Sequence, residues 1–194
     1  MPTFKEKERN IPIGIVEDIY ERLTESFGEM PVFIGGRAVN ILCSKNKRPT
    51  NDIDLVVKNN PEPRKNIIIE NGFFIEPSKS GKITQLYDTE NDVKIDLYYN
   101  KPVNGIPIEF IEKHSLSVKL KNDVVRVVEP SLLLLMKLDA GREQDMRDVQ
   151  VILETFYNSK IENYLEKEKS TLNDLEIDPK QVLLLYNIRR LKRF

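Results

Sequence analysis

The chain has 194 residues, of which 40% are hydrophobic, and its 30 basic and 31 acidic residues give a formal net charge of −1. This length predicts one domain, or one domain with a helical extension, and the near-neutral charge excludes a global basic field of the kind that recruits long nucleic acids. The single cysteine, Cys43, excludes an intrachain disulfide and a cysteine-built zinc site.

The beginning of the chain indicates where the protein is located. Residues 1–10 are charged and lack the apolar core of a signal peptide. No apolar run in the sequence reaches the roughly 18 residues that a membrane span needs. We therefore expect a cytoplasmic protein that does not associate with membranes.

A helix is predicted over residues 13–28, followed by a strand, two glycines and a second helix. Apolar residues recur at four-residue steps in the first helix, and Gly28 is a typical helix stop. The strand Val32–Ile34 then ends at Gly35 and Gly36. Because glycine has no side chain, backbone N–H groups can approach a bulky anion there. A helix that begins at this point directs its free N–H groups and positive dipole end at the same anion.

The next predicted strand carries two acidic residues. Side chains alternate along a strand, so Asp52 and Asp54 share one face while Ile53 and its apolar neighbours share the other. A later strand over residues 93–99 places Asp96 on its polar face in the same way. Three carboxylates converge if the two strands are neighbours. Mg²⁺ prefers such oxygen ligands and often bridges them to substrate phosphates, and three acids can hold two divalent ions.

The strands between and after these segments predict a partly antiparallel sheet. Strands are expected over residues 73–75 and 83–87, and a hairpin turn over 88–92 joins the second of these to the third acidic residue's strand. Residues 105–110 and 124–128 are predicted to add edge strands.

The last third of the chain is predicted to be helical. Glu129-Pro130 marks a boundary, because proline is favoured at the first position of a helix. Apolar patterns then predict helices over residues 131–138 and 143–156 and a charged helical tail from residue 159 onward.

Three segments together resemble a known family. A glycine pair, an Asp-x-Asp strand and a third acid on a further strand occur in Gly35–Val39, Arg48–Leu55 and Lys94–Leu97. This ordered set resembles the nucleotidyltransferase family of the DNA polymerase beta superfamily, in particular its small stand-alone prokaryotic members. The resemblance implies an α+β fold with a mixed, partly antiparallel sheet flanked by helices. It also implies a catalytic core over residues 1–128 and a C-terminal helical region over 129–194 that packs on the core.

The resemblance further implies an activity and its site. The implied reaction is Mg²⁺-dependent transfer of a nucleoside monophosphate from an NTP, such as ATP, to an acceptor hydroxyl, with release of pyrophosphate. Asp52, Asp54 and Asp96 are the implied catalytic residues and would hold two Mg²⁺ ions, with Mn²⁺ as the alternative metal. The residues expected to bind the nucleotide are Gly35, Gly36, Arg37, Arg48, Thr50, Lys137, Asp145 and Asp148. The near-neutral charge favours a small molecule or a protein as acceptor over a long nucleic acid.

Several interpretations remain open from the sequence. Thr50 either contacts phosphate or stabilises a turn. Lys137, Asp145 and Asp148 either lie at the mouth of the nucleotide site or form an ion-pair network, since Arg142 and Asp145 are three residues apart on one helix. The whole protein is alternatively a non-catalytic nucleotide-binding or toxin–antitoxin-type regulatory partner, or an α+β domain whose acids are merely solvated. A P-loop NTPase is excluded, because the sequence has no Gly-x-x-x-x-Gly-Lys-Ser/Thr motif.

Overall fold

A computed structural model describes residues 10–43, 48–76 and 84–191. In chain order the described elements are α1 (Ile13–Phe27), β1 (Val32–Phe33), α2 (Gly35–Leu42), β2 (Asp52–Val56), α3 (Lys65–Glu70), β3 (Phe73–Ile75), β4 (Gln85–Asp88), β5 (Val93–Tyr98), α4 (Ile108–Lys113), β6 (Ser115–Lys119), β7 (Val124–Val128), α5 (Pro130–Ala140), α6 (Glu143–Phe156), α7 (Ile161–Lys167), α8 (Lys169–Asp174) and α9 (Pro179–Leu191). A short 3-10 helix, Glu62–Arg64, leads into α3. The strand predicted over 83–87 begins at a residue that lies outside the described part.

The strands of the described residues form one sheet with the order β3-β4-β5-β2-β1-β7-β6. β2 is parallel to β5, and β1 is parallel to β7. The remaining neighbours in the sheet are antiparallel. The prediction of an α+β fold with a mixed, partly antiparallel sheet flanked by helices is therefore confirmed.

Alternation along the central strands gives the sheet one apolar and one polar face. Ile53, Leu55, Ile95 and Leu97 are at most 4% exposed and share the apolar face. Helix α1 packs on this side, as shown by Arg22, which donates to Asp88 on β4 at 3.0 Å and lies over the Phe73 ring of β3. The acidic residues of β2 and β5 are therefore left on the opposite face.

Two predictions about strands are wrong. Residues 105–110 do not form an edge strand: Asn104 and Gly105 both have positive φ, and Val103 and Ile106 pair across this tight turn. Pro107 then immediately precedes helix α4. The strand over 124–128 does exist as β7, but it lies between β1 and β6 and is not at the edge. The edge position belongs to β6, which the sequence analysis missed.

The C-terminal helices begin where they were predicted. Pro130 is the first residue of α5, and most of α5 is buried. The fully buried Tyr164 of α7 donates to the backbone carbonyl of Ser131 at 3.2 Å, which ties the tail to α5. The division into a 1–128 core and a 129–194 helical region stays a prediction. Among the described residues, no helix combines the length and the apolarity needed to cross a membrane.

Candidate active site

Three carboxylates from two adjacent strands meet on the polar face of the sheet. Asp52 and Asp54 lie on β2, and Asp96 lies on the parallel strand β5 in direct register with Asp54. One oxygen of each side chain lies within 4.8 Å of the other two, and all three residues are partly exposed. We call Asp52, Asp54 and Asp96 the acid triad. Its oxygen donors are those that a hard cation such as Mg²⁺ requires.

The acid triad concentrates negative charge. Burial, together with the nearby charges of Asp52 and Asp96, raises the pKa of Asp54 from 3.8 to about 6. The Tyr98 hydroxyl, two residues after Asp96 on the same face, lies 3.4 Å from an Asp54 oxygen. Burial and the charge of Asp54 raise the pKa of Tyr98, so this hydroxyl keeps its proton and acts as a donor. The triad thus has the electrostatic character of a site that favours an added positive ion.

The glycine pair at the start of α2 borders the acid triad. Gly35 has a φ of +64°, and a Cβ atom there would lie only 2.0 Å from a carboxylate oxygen of Asp54. A Cβ atom on Gly36 would lie 2.6 Å from the Arg48 guanidinium and 2.8 Å from a Thr50 methyl group. The two glycines are therefore needed so that side chains of the predicted site can lie against the backbone at the start of this helix.

Arg37 and Thr50 are both buried next to the glycine pair, with 4% exposure each. Arg37 donates to the backbone carbonyls of Ile11 and Thr50 at 3.4 and 3.2 Å. The guanidinium therefore ties the segment before α1 to the segment before β2. The Thr50 hydroxyl, in contrast, has no hydrogen-bond partner among the described residues. A buried hydroxyl without a partner is costly, which marks it as a group that a ligand can satisfy.

Helices α5 and α6 contribute a second cluster of charged side chains. The Lys137 ammonium lies 3.0 Å from an oxygen of Asp145 and 2.9 Å from an oxygen of Asp148. Arg48 donates two hydrogen bonds to Asp148, at 2.8 and 2.9 Å, and Arg142 donates to Asp145 at 2.6 Å. We call these five residues the ion-pair network. The network predicted as one of two interpretations is therefore present.

Charge alternates throughout the ion-pair network. Burial acts to raise the pKa of Asp145, but hydrogen bonds and charges from Arg142 and Lys137 outweigh it and lower that pKa below its usual value. The network also lies close enough to the acid triad to interact with it. The charge of Lys137 acts to lower the pKa of Asp54, and the charge of Asp52 acts to raise the pKa of Arg48. The ion-pair network is therefore the cationic neighbour of the acid triad.

Three residues that the sequence analysis did not assign also lie at the acid triad. Gln85 donates to one Asp96 oxygen at 2.8 Å, and the Lys94 ammonium lies 3.3 Å from the other. Tyr98 is the third. Alternation along β5 was enough to place Lys94 and Tyr98 on the face of Asp96. Gln85 could not be found in this way, because its position depends on how β4 pairs with β5.

Comparisons with known proteins give the same class of protein as the geometry. The chain belongs to the family described as "Nucleotidyl transferase of unknown function (DUF2204)", whose model matches residues 15–189. No curated protein matches the sequence. The protein is thus a member of a nucleotidyltransferase family, as the sequence predicted.

Two solved structures show the same fold at low sequence identity. One is an antigenic nucleotidyltransferase-like protein from Paracoccidioides brasiliensis, with a TM-score of 0.54 and 14% identity over 84% of this chain and 92% of that chain. The other is the antibiotic-resistance factor ANT(2'')-Ia, with a TM-score of 0.52 and 14% identity over 84% of this chain and 96% of that chain. The likeness therefore spans nearly the full length of both relatives.

Proposed function

We propose that the protein is a Mg²⁺-dependent nucleotidyltransferase that moves a nucleoside monophosphate from an NTP to an acceptor hydroxyl and releases pyrophosphate. The observation that carries the proposal is the acid triad, whose oxygens lie within 4.8 Å of one another beside the start of α2. Asp52 and Asp54 would hold two Mg²⁺ or Mn²⁺ ions, and Asp96 would complete one of the two sites. When bound, the ions supply positive charge to the reacting phosphate and activate the attacking oxygen.

The proposed reaction is a displacement at phosphorus. The acceptor oxygen forms a bond to the α-phosphorus of the NTP, and the bond from that phosphorus to the bridging oxygen of the β-phosphate breaks. Pyrophosphate leaves with the electron pair of the broken bond. The proton of the acceptor hydroxyl would pass to Asp96, which lies on β5, the strand farther from α2.

The β- and γ-phosphates would bind at the start of α2. The absence of side chains at Gly35 and Gly36 lets Asp54 and Arg48 lie against the start of α2, and the phosphates would bind beside these side chains. The Thr50 hydroxyl, which lacks a partner among the described residues, would donate to a phosphate oxygen. Arg48 lies directly over Gly36 and adds positive charge there.

Lys137 would neutralise phosphate charge from the side of α5. Two of its three N–H donors are directed to Asp145 and Asp148, which leaves one for a phosphate oxygen. Asp145 and Asp148 would then act by orienting Lys137 and Arg48. Arg37 would support the loop that carries Thr50, because it donates to the backbone carbonyls of Ile11 and Thr50. The nucleotide site would therefore need both the core and the C-terminal helical region.

The acceptor is proposed to be a small molecule or a protein. The net charge of −1 does not provide the attraction that a long nucleic acid needs. ANT(2'')-Ia, which shares the fold, is an antibiotic-resistance factor. The domain division that suits this proposal has the metal ligands in residues 1–128 and the phosphate-neutralising Lys137 in residues 129–194.

A thermal-shift titration tests the proposal. ATP, CTP, GTP and UTP are added with and without Mg²⁺ to the wild type and to the Asp52→Asn/Asp54→Asn double variant. An NTP at one hundred times its Kd stabilises the folded state by about 2.7 kcal/mol, which shifts Tm by roughly 5–10 °C for a chain of this size. We expect a Mg²⁺-dependent shift in the wild type that the double variant lacks. Equal shifts in both proteins, or none with any NTP, would contradict the proposal.

A further inference from the structure

Two neighbouring side chains contact Asp96, and they differ in charge. The Gln85 amide donates to Oδ1 at 2.8 Å. The Lys94 ammonium lies 3.3 Å from Oδ2. One neighbour is neutral and the other is a cation, so they must affect the binding of a metal ion at Asp96 in different ways.

Gln85 fixes the orientation of the Asp96 carboxylate without neutralising it. The two residues are directly opposite each other in the antiparallel pair formed by β4 and β5, where facing side chains are about 5 Å apart. An ionised carboxylate only accepts hydrogen bonds, so the N–H side of the amide must face it. A neutral donor leaves the full negative charge of Asp96 available. Hydrogen bonds of this kind orient metal ligands in many proteins.

The Lys94 ammonium forms an ion pair with the other oxygen of Asp96, Oδ2. It lies two residues before Asp96 on the same strand and face, opposite Asp52 of β2. Its side chain is 42% exposed, whereas that of Asp96 is 19% exposed. An ion pair with so much access to water is weak and exchanges readily. An ammonium and a divalent cation repel each other at this distance, so only one of them can occupy Oδ2.

We propose that Gln85 is a positioning residue that holds Asp96 in the orientation needed for a divalent cation. We propose also that Lys94 is a displaceable cation that occupies Asp96 until the metal ion binds. The inference rests on the proposed function, since it requires that the acid triad holds a metal ion.

The two residues must then have opposite effects on metal affinity. Loss of the Gln85 hydrogen bond lets the Asp96 carboxylate rotate, which weakens metal binding. Loss of the Lys94 ammonium removes a competing positive charge, which strengthens metal binding. A merely structural role predicts neither the specific loss in one variant nor the gain in the other.

Mn²⁺ affinity measured by calorimetry, and by the electron paramagnetic resonance signal of free Mn²⁺, tests the inference. The variants are Gln85→Met, which keeps the length of the side chain and removes its donors, and Lys94→Met. Their matched controls are Gln150→Met, which removes a similar amide–carboxylate contact with Glu154 on α6, and Lys169→Met, which removes an exposed charge on α8. Urea unfolding of each variant shows that the fold is intact.

We expect Gln85→Met to raise the Kd for Mn²⁺ about tenfold and Lys94→Met to lower it about threefold, with both controls at the wild-type value. Wild-type affinity in Gln85→Met would overturn the positioning role, and an unchanged or higher Kd in Lys94→Met would overturn the displacement. If the wild type itself binds no Mn²⁺, the proposed function fails and this inference fails with it. In turnover, Gln85→Met is expected to lower kcat while the KM for the NTP stays the same, because Gln85 does not lie at the phosphate side of the triad.

Discussion

Aspartate side chains have opposite electrostatic surroundings in the acid triad and in the ion-pair network. In the triad, like charges face one another, and the pKa of Asp54 is raised to about 6. In the network, carboxylates alternate with Lys137 and two arginines, and the pKa of Asp145 is lowered. The two carboxylates of the network are paired with three cations within the fold, whereas the triad gathers three acids. We therefore expect the triad to attract a cation and the cationic network to attract phosphate.

The largest expected effect on activity comes from removing one carboxylate of the acid triad. Asp54→Asn keeps the size of the side chain and removes a ligand charge, so transfer from an NTP labelled at the α-phosphate is expected to fall by at least about a thousandfold. The fold should stay intact because no counter-ion is stranded. The exposed Asp174→Asn on α8 is the matched control and should transfer at the wild-type rate. Near-normal transfer by Asp54→Asn would remove the triad from the mechanism.

In the ion-pair network, loss of a charge should lower the free energy of unfolding. Lys137→Met leaves the buried carboxylates of Asp145 and Asp148 without their shared ammonium, so the free energy of unfolding is expected to fall by about 3–5 kcal/mol. Urea denaturation measures this loss. The control is Arg147→Met, which breaks an exposed pair with Glu143 and should cost at most about 0.5 kcal/mol. A small effect in Lys137→Met would show that the network is not a supporting element.

The acid triad was predictable because it depends on local rules. Two-residue alternation places Asp52 and Asp54 on one face and Asp96 on the corresponding face of β5, whatever the rest of the fold does. The start of α2 followed from the glycine pair in the same way. The neighbouring position of β2 and β5 was the one long-range condition, and the register of Asp54 with Asp96 satisfies it.

The direction of a helical side chain and the register between two strands were not predictable from such local rules. Arg37 follows the glycine pair, but each helical residue turns the side chain by about 100°, and this turn directs the guanidinium to Ile11 and Thr50. Gln85 meets Asp96 only through the pairing of β4 with β5. The segment after Asn104 lost its predicted strand because of a tight turn with two positive φ angles.

The repulsion within the acid triad should also be visible in the pH dependence of the free energy of unfolding. The pKa of Asp54 is 3.8 in its usual state and about 6 in the folded protein, so between these pH values the folded state holds a proton that the unfolded chain has lost. This carboxyl therefore lowers the free energy of unfolding as the pH rises through that window. Without divalent ions, the stability advantage of Asp54→Asn over the wild type should grow from near zero at pH 4 to on the order of 2 kcal/mol above pH 6. Urea titrations at several pH values measure the difference, which saturating Mg²⁺ should narrow. A difference that does not change with pH would show that Asp54 is not destabilised by its neighbours.

Substitutions at the two glycines should distinguish the acid triad from the ion-pair network, because Gly35 lies against Asp54 and Gly36 lies against Arg48. Ala at Gly35 must adopt a positive φ and places its Cβ atom 2.0 Å from the Asp54 carboxylate, whereas Ala at Gly36 meets the Arg48 guanidinium at 2.6 Å and the Thr50 methyl group at 2.8 Å. Gly35→Ala is therefore expected to cost about 2 kcal/mol of stability and to weaken Mn²⁺ binding. Gly36→Ala is expected to cost about 1 kcal/mol and to weaken NTP binding while Mn²⁺ binding is retained. Gly14→Ala in α1 is the control, because the new methyl group meets nothing within 4 Å. It should raise the free energy of unfolding by about 0.5–1 kcal/mol. Equal losses of Mn²⁺ affinity in Gly35→Ala and Gly36→Ala would mean that the triad and the network are one site, in which the metal ion and the nucleotide phosphates cannot be separated by substitution.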